Sequence, residues 1–374
     1  MNLKFSVGLD VSSKKVDFCI STIDHYQRVK VKSTGSIENT KSGFSKLLKS
    51  IKRWTEKEAV PVVVCMEATG VYHENLAYSL DGAGFYVSIV LPNKAKKYLQ
   101  SLGLKSKNDT IDAKGLAQMG AEQNLERWIR PAKVYVDLKA LTRQYQTIRE
   151  MITSEINRLH AEMHSADSSK VVIKQIKSHI DYLEKQAKQM LTAIDKTIES
   201  DQELNKKINN ICTVRGLSTL SVATVIADSN GFQLIENYKQ LVSYAGYDVV
   251  ENQSGSHRGK TRISKKGNSR IRRILHMPSL TAIKSEGTVF KDLYERVYER
   301  TGIKMKGLVA AQKKLLLTIY HLWRSNKPFD PNYHQKTKAN IQKEEQERTS
   351  KHVSEREIEK IAKQTVWLHK VNIQ

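Results

Sequence analysis

The sequence predicts an α/β layer at the N-terminal end followed by a largely α-helical remainder that opens with a long helical hairpin. Three observations predict it. Short apolar, β-rich runs alternate with helical-period segments over residues 1–130. Apolar residues then recur three and four apart from Val134 to about Ile208. Beyond that, helical stretches flank a segment rich in glycine and cations, Glu251 to Leu275.

The N-terminal elements follow in order. Leu3 to Asp10 is a β-rich run, and KVDFCISTI (Lys15 to Ile23) follows after the polar turn VSSKK. Gln27 to Thr34 alternates and predicts a third antiparallel strand. Thr40 to Trp54 is an amphipathic helix, with Phe44, Leu47, Leu48 and Ile51 on one face. VPVVVCME is a short continuous apolar run, the pattern of a strand covered on both faces. A helix near Tyr72 to Ala83 leads to a fifth strand, FYVSIVLP, and helices near Asn93 to Leu102 and Asp109 to Gly120 complete the unit. Three strands followed by alternating helices and strands is the order of an RNase H-like layer.

In the next segment Leu138, Leu141, Tyr145, Ile148 and Ile152 follow a coiled-coil seam, which Ile156, Leu159 and Met163 continue with a shift of phase. SADSS (Ser165 to Ser169) is a turn, and a second helix carries Ile173, Ile176, Ile180, Leu183, Ala187, Met190, Ile194 and Ile198. Two helices packing within one subunit and an oligomerising arm account equally for this pattern. Ile211 to Asp228 has a helix-turn-helix pattern around Arg215-Gly216; its turn amides are either a phosphate cradle or an ordinary connection. Glu251 to Leu275 is a flexible loop leading into a basic helix, and Phe290 to Arg300 and Leu308 to Trp323 are further helices. The expected division is 1–130, 131–208, 209–330 and a charged tail, 331–374, in which a solvated helix would end at Val366, Trp367 and Leu368.

Composition narrows the function. In 374 residues, 62 Lys and Arg oppose 39 Asp and Glu, a formal charge of +23. Such an excess favours a polyanion, either nucleic acid or an anionic membrane surface. No apolar stretch approaches the ~18 residues of a membrane helix, so no membrane partner is expected. Asp10 interrupts the place where an export signal needs an apolar core. Cys19, Cys65 and Cys212 form no CxxC pair, which argues against zinc knuckles and a disulfide framework. Each is a small buried apolar residue in a reducing, cytoplasmic setting.

Four acids carry the chemistry. Asp10 ends KFSVGLD, Glu67 ends VPVVVCME, and Asp109 and Asp112 lie three apart in NDTIDAKGLA. If the two runs are neighbouring strands and the last segment a helix over them, all four carboxylates meet at one point. Singly, an acid at a strand end or in a first helical turn is more often a cap or a macrodipole partner. Four together are tolerable when cations neutralise them, which points to Mg²⁺ or Mn²⁺ and, in so basic a chain, to a phosphodiester substrate.

KFSVGLDVSSKKVDFCI, MEATGVY and KSKNDTIDAKGLA resemble the blocks of the DEDD transposases, insertion-sequence recombinases described as bridge-RNA-guided, a group that includes the Piv invertase. The resemblance continues through NQSGSHRGKTRISKKGNSRIRRIL and LVAAQKKLLLTIYHLW, and so spans most of residues 3–325. It implies a RuvC-like N-terminal domain with Asp10, Glu67, Asp109 and Asp112 as metal ligands, and a C-terminal transposase domain with a nucleophilic serine. Serine beside glycine is by itself ordinary loop chemistry. The resemblance favours Ser254 as that nucleophile, with Ser256 the runner-up. Arg258, Lys260, Arg262, Lys265, Lys266, Arg270, Arg272 and Arg273 crowd the same segment and are expected at phosphates, whereas His73, His257 and His276 are given no role.

The implied reaction is metal-dependent strand exchange. Ser254 attacks a DNA phosphate, a 3′ hydroxyl leaves, and the metal activates the serine and stabilises the leaving oxygen. Donor and target DNA, a structured guide RNA and further copies of the chain, as a dimer or tetramer, are the expected partners, in a nucleoid-associated bacterial protein. The alternatives are a metal-only RuvC-like nuclease or junction resolvase, in which water attacks, a non-catalytic nucleic-acid-binding regulator, and a Piv-like site-specific invertase.

Overall fold

The computed structural model describes residues 1–333 apart from 69, 104–107, 234 and 260. The chain divides into two compact units, Met1–Arg130 and the part beginning at Pro131.

The first unit is built on one sheet. β1 (Asn2–Val11), β2 (Lys15–Asp24) and β3 (Val29–Glu38) form an antiparallel meander. α1 (Lys41–Thr55) then leads to β4 (Val62–Glu67), α2 (Glu74–Gly82) to β5 (Tyr86–Val90), and α3 (Pro92–Ser101) and α4 (Asp109–Glu122) follow. The strand order is β3-β2-β1-β4-β5, with β4 parallel to β1 and β5 parallel to β4. This is the expected RNase H-like arrangement.

Alternation along the strands assigns the two faces. Phe5, Val7 and Leu9 of β1, Val16, Phe18 and Ile20 of β2, and Val64 and Met66 of β4 pack with Phe44, Leu47 and Ile51 of α1 and Leu76 and Leu80 of α2. The intervening residues face the other way, where Cys65 and Val90 meet Ala95, Leu116 and Met119, and Cys19 meets Ala113 and Ala117. Val64, Cys65 and Met66 are fully buried, so β4 is covered on both faces, as its composition predicts. The free edge, β3, is largely exposed and carries Lys30 and Lys32, charges that discourage pairing with another strand.

The second unit begins with α5 (Lys133–Met163) and α6 (Lys170–Glu199), a hairpin sealed by Ile148 and Ile152 against Leu183 and Ala187. Ser169 caps α6 through the Val172 amide. Ile156 and Met163 are about half exposed, so the expected seam stops short of the tip. α7 (Gln202–Cys212) starts inside the segment expected to belong to the arm, because Asp201 caps a new helix there. α8 (Thr219–Asp228) follows a turn at Gly216 and starts with a Ser218–Ser221 capping box. α9 (Tyr238–Ala245) leads to β6 (Val249–Val250), β7 (Gln253–Ser254), β8 (His257–Arg258) and β9 (Arg262–Ile263). α10 (Ser269–Ile274), α11 (His276–Ala282), α12 (Val289–Thr301) and α13 (Lys304–Ser325) complete the unit. Its core joins Leu138 and Ile194 from the base of the hairpin to Ile208, Val225, Leu241 and Leu315.

The segment expected as a flexible loop is a two-tiered β finger. β6 pairs with β9, and β7 pairs with β8 beyond them, both antiparallel. Gly255, with φ +57°, supplies the tight turn at the tip. The proposed tail helix lies outside the described residues.

Candidate active site

Parity places the acids. Asp10 lies two residues beyond Gly8 on β1, hence on the face covered by α4. Glu67 follows Met66, the partner of Leu9, and so ends the adjacent strand on the same face. Gly8 sits so close under α4 that a Cβ there would lie 2.1 Å from the Ala117 nitrogen and 2.2 Å from the Ala113 oxygen. Gly120, one end of the same helix, lies over Ser6 and Cys65. α4 therefore tracks back along β1, from Ser6 past Gly8, and its first turn arrives over Asp10. Asp109 and Asp112 are in that turn, which Asn108 caps through the Ile111 amide at 2.8 Å. The N-terminal end of a helix also favours negative side chains.

The electrostatics register the convergence. Partial burial first, then the charges of Asp109, Asp112, Glu67 and Asp17, push the Asp10 carboxyl up to about 6. Asp17 pairs with Asp10 across the β1–β2 ladder and is 6% exposed. Lys15 Nζ answers part of this charge, 2.7 Å from Asp109 and 3.1 Å from Asp17. Hydrogen bonding to Asp109, then Asp17, holds that ammonium above the ordinary lysine range.

Among the described residues, no three His, Cys, Asp or Glu groups are closed to metal-ligating spacing. The donor set still suits a hard divalent ion in kind, because every candidate ligand is a carboxylate on one face, and burial followed by their mutual repulsion raises Asp10. The cysteines do not compete for that role. Burial pushes the Cys19 thiol up to about 11 and Cys65 up to about 12, which keeps both as neutral packing groups.

Ser254 lies at the tip of the finger, exposed, opposite His257 across the two-residue turn Gly255-Ser256. Ser256, also exposed, is in the turn itself. The base of the finger is fastened to the end of α9. Asn268 N donates to Tyr244 O and Ser264 N to Asp248 O, both at 2.8 Å, while Ser264 Oγ donates to Asp248 Oδ1 at 2.5 Å.

The eight expected phosphate contacts divide. Arg262, Lys265, Lys266 and Arg270 are exposed. Arg272 Nη1 donates to Ala245 O at 2.8 Å, and Arg273 pairs with Glu150 of α5, so both are engaged within the fold. Arg258 has its backbone in β8, its side chain lying outside what is described, as does Lys260 altogether. His73 is buried, and His276 Nδ1 lies 3.1 Å from Gln312 Nε2.

Sequence reasoning missed Asp17 and Lys15. Their signal is the alternation of KVDFCI itself: residues 15, 17 and 19 share a face, and an acid on the same face as a buried cysteine is out of place on a solvated one.

Residues 7–166 match a family model described as a transposase, and residues 208–295 match the model of the transposase IS116/IS110/IS902 family. Pilin gene-inverting proteins of Moraxella lacunata and Moraxella bovis are 28% and 27% identical over 341 residues, 89% of this chain and 99% of theirs. Among solved structures, Thermus thermophilus RuvC in complex with a Holliday junction substrate aligns with 32% of this chain and 93% of its own, at 13% identity and a TM-score of 0.26. The fowlpox virus Holliday junction resolvase aligns with 30% of this chain and 93% of its own, at 15% identity and a TM-score of 0.24.

Proposed function

The chain belongs to the IS116/IS110/IS902 family of transposases, and from that premise we propose that it recombines DNA by strand exchange through a covalent Ser254–DNA intermediate. The observation that supports the reading is the placing of Asp10, Glu67, Asp109 and Asp112 on the α4 side of the sheet, where burial first and then the neighbouring carboxylates raise the Asp10 carboxyl.

Asp10, Glu67, Asp109 and Asp112 would hold Mg²⁺ or Mn²⁺, which when bound stabilises negative charge on the oxygens of a phosphodiester under attack. The chain's own groups do the rest. Arg262, Lys265, Lys266 and Arg270 neutralise backbone phosphates beside the finger. Ser254 Oγ bonds to phosphorus and the bond to the 3′ oxygen breaks, so the energy of the phosphodiester is kept in the protein link. A 3′ hydroxyl from the partner strand then attacks the phosphoserine and releases Ser254. Acids and serine belong to different units, so the reaction requires both to act on one phosphate.

Two further partners belong to the proposal. The formal charge of +23 suits a structured guide RNA as well as DNA. Self-association through the α5–α6 arm is supported by Met151, Ile156, Met163, Val171 and Tyr182, all large apolar or aromatic residues exposed on it. Sequencing RNA that co-purifies with the chain, and light scattering of an Ile156→Asp variant, test these two points.

Site-specific inversion is the second reading, favoured by the likeness to the two pilin gene-inverting proteins over 89% of the chain. It shares the chemistry and differs in the arrangement of the DNA. The direct test of the function is strand cleavage and rejoining on a plasmid carrying the coding sequence with its native flanks. Wild-type protein should produce rejoined strands with Mg²⁺, and Asp10→Asn or Glu67→Gln should not. Excised or inserted products identify transposition, and inverted products identify inversion.

A further inference from the structure

We infer that His257 accepts the proton of Ser254 as its hydroxyl attacks phosphorus. The inference rests on the reading of Ser254 as the nucleophile.

The geometry is that of the finger's outer tier. Ser254 and His257 are direct partners in the β7–β8 pair, and Gln253 and Arg258 are the other partners. Residues opposite one another in an antiparallel pair carry their side chains on the same face, with Cβ atoms about 5 Å apart. The hydroxyl and the imidazole therefore share one face of the ribbon. Rotation about the two side-chain torsions of His257 lets a ring nitrogen reach the serine oxygen.

Three features make the pair more than an accident of a short hairpin. Gly255 adopts φ +57° at the tip, which closes the turn in two residues and sets Ser254 against His257. The finger is held at its root by the bonds from Asn268 to Tyr244 and from Ser264 to Asp248, so the pair is carried on an anchored stem. Both residues are exposed, and among the described residues no hydrogen bond or ion pair engages either side chain, which leaves both available to a DNA strand.

The surrounding chemistry singles out the imidazole. Between Glu251 and Leu275 the other ionisable side chains are lysines and arginines, which carry hydrogen-bond donors and no acceptor, apart from Glu251 itself. Glu251 precedes the β7–β8 pair and has no partner position opposite Ser254. Asp248, at the root, is occupied by the Ser264 hydroxyl.

The step balances. The Ser254 O–H bond breaks, its proton goes to an imidazole nitrogen of His257, the Oγ–P bond forms and the P–O3′ bond breaks. The departing 3′ oxygen takes a proton from water. In the second step the incoming 3′ hydroxyl gives its proton to water as it attacks phosphorus. The imidazolium returns its proton to Ser254 Oγ as that oxygen leaves.

The test is the rate of covalent protein–DNA adduct formation by the full chain on the plasmid with native flanks, with Mg²⁺ present. His257→Ala and His257→Gln should each form adduct roughly 10²–10³-fold more slowly, with DNA binding unchanged. Free imidazole should restore part of the rate to His257→Ala, a response that a merely structural histidine would not give. Adduct formation by His257→Ala at the wild-type rate, or a slow His257→Ala that imidazole leaves slow, overturns the inference while Ser254 stands. A Ser254→Ala protein that still forms adduct at the wild-type rate instead removes the reading beneath it and, with it, the role of His257.

Discussion

Gly8 lies directly under Ala117, with room for a hydrogen and not for a methyl group: a Cβ at residue 8 would fall 2.1 Å from the Ala117 nitrogen. Asp10 is two residues further along the same strand, and the first turn of α4, with Asp109 and Asp112, is the part of the helix beyond Ala113. The closeness of strand and helix is what lets those acids crowd Asp10.

Gly8→Ala should therefore lift α4 from the sheet. Overpacking against backbone costs about 3 kcal/mol, enough to lower the thermal midpoint of the first unit by several degrees, and DNA cleavage should fall with it. Calorimetry and a cleavage assay on the same preparation check both.

The crowding of acids sets a pH dependence for the metal-free protein. The folded Asp10 carboxyl titrates near 6 against an ordinary value of 3.8, so between these pH values the folded state holds the proton more tightly than the unfolded state. Stability should accordingly fall as pH rises from about 4 to about 6 and stay lower above that. Asp10 is only partly buried, and solvent screening leaves an effect on the order of 1 kcal/mol. In EDTA, Asp10→Asn should flatten that slope and melt higher than wild type at pH 7.5.

Divalent ions should have the reverse effect. Millimolar Mg²⁺ or Mn²⁺ should raise the melting temperature of the wild-type protein by a few degrees through binding linkage. Asp10→Asn and Asp112→Asn should respond weakly or not at all. An equal response from all three proteins would mean that the ion binds elsewhere.

The basic segment should separate into two kinds of residue. Arg262→Ala, Lys266→Ala and Arg270→Ala should each weaken DNA binding and reduce the salt dependence by about one phosphate contact, with melting unchanged. Arg272→Ala should instead lower stability by roughly 1–2 kcal/mol, because its guanidinium closes the end of α9 at Ala245.

The parts of this arrangement that could be read in the sequence are those tied to a long periodicity. The placing of Asp10 near the end of β1 and of Glu67 at the end of β4, the cover of β4 on both faces and the helix starting at Asp109 all follow from runs long enough to fix a face. Asp17 did not announce itself, since an acid in an alternating strand looks solvated until α4 is known to cover that side. The finger has no strand signal in the sequence, because strands of two residues carry no period and its composition is that of turns. At the hairpin tip, Ile156 and Met163 continue an apolar spacing that the packing does not use.

In the proposed reaction a serine, and not water, attacks DNA under the influence of the four acids. Trapping the protein on its plasmid DNA with Mg²⁺, digesting the complex and locating the modified peptide by mass spectrometry tests it most directly. A nucleotide 5′-phosphate is expected on Ser254, absent from Ser254→Ala and from Asp10→Asn. Normal strand cleavage by Ser254→Ala with no adduct anywhere on the chain would contradict it.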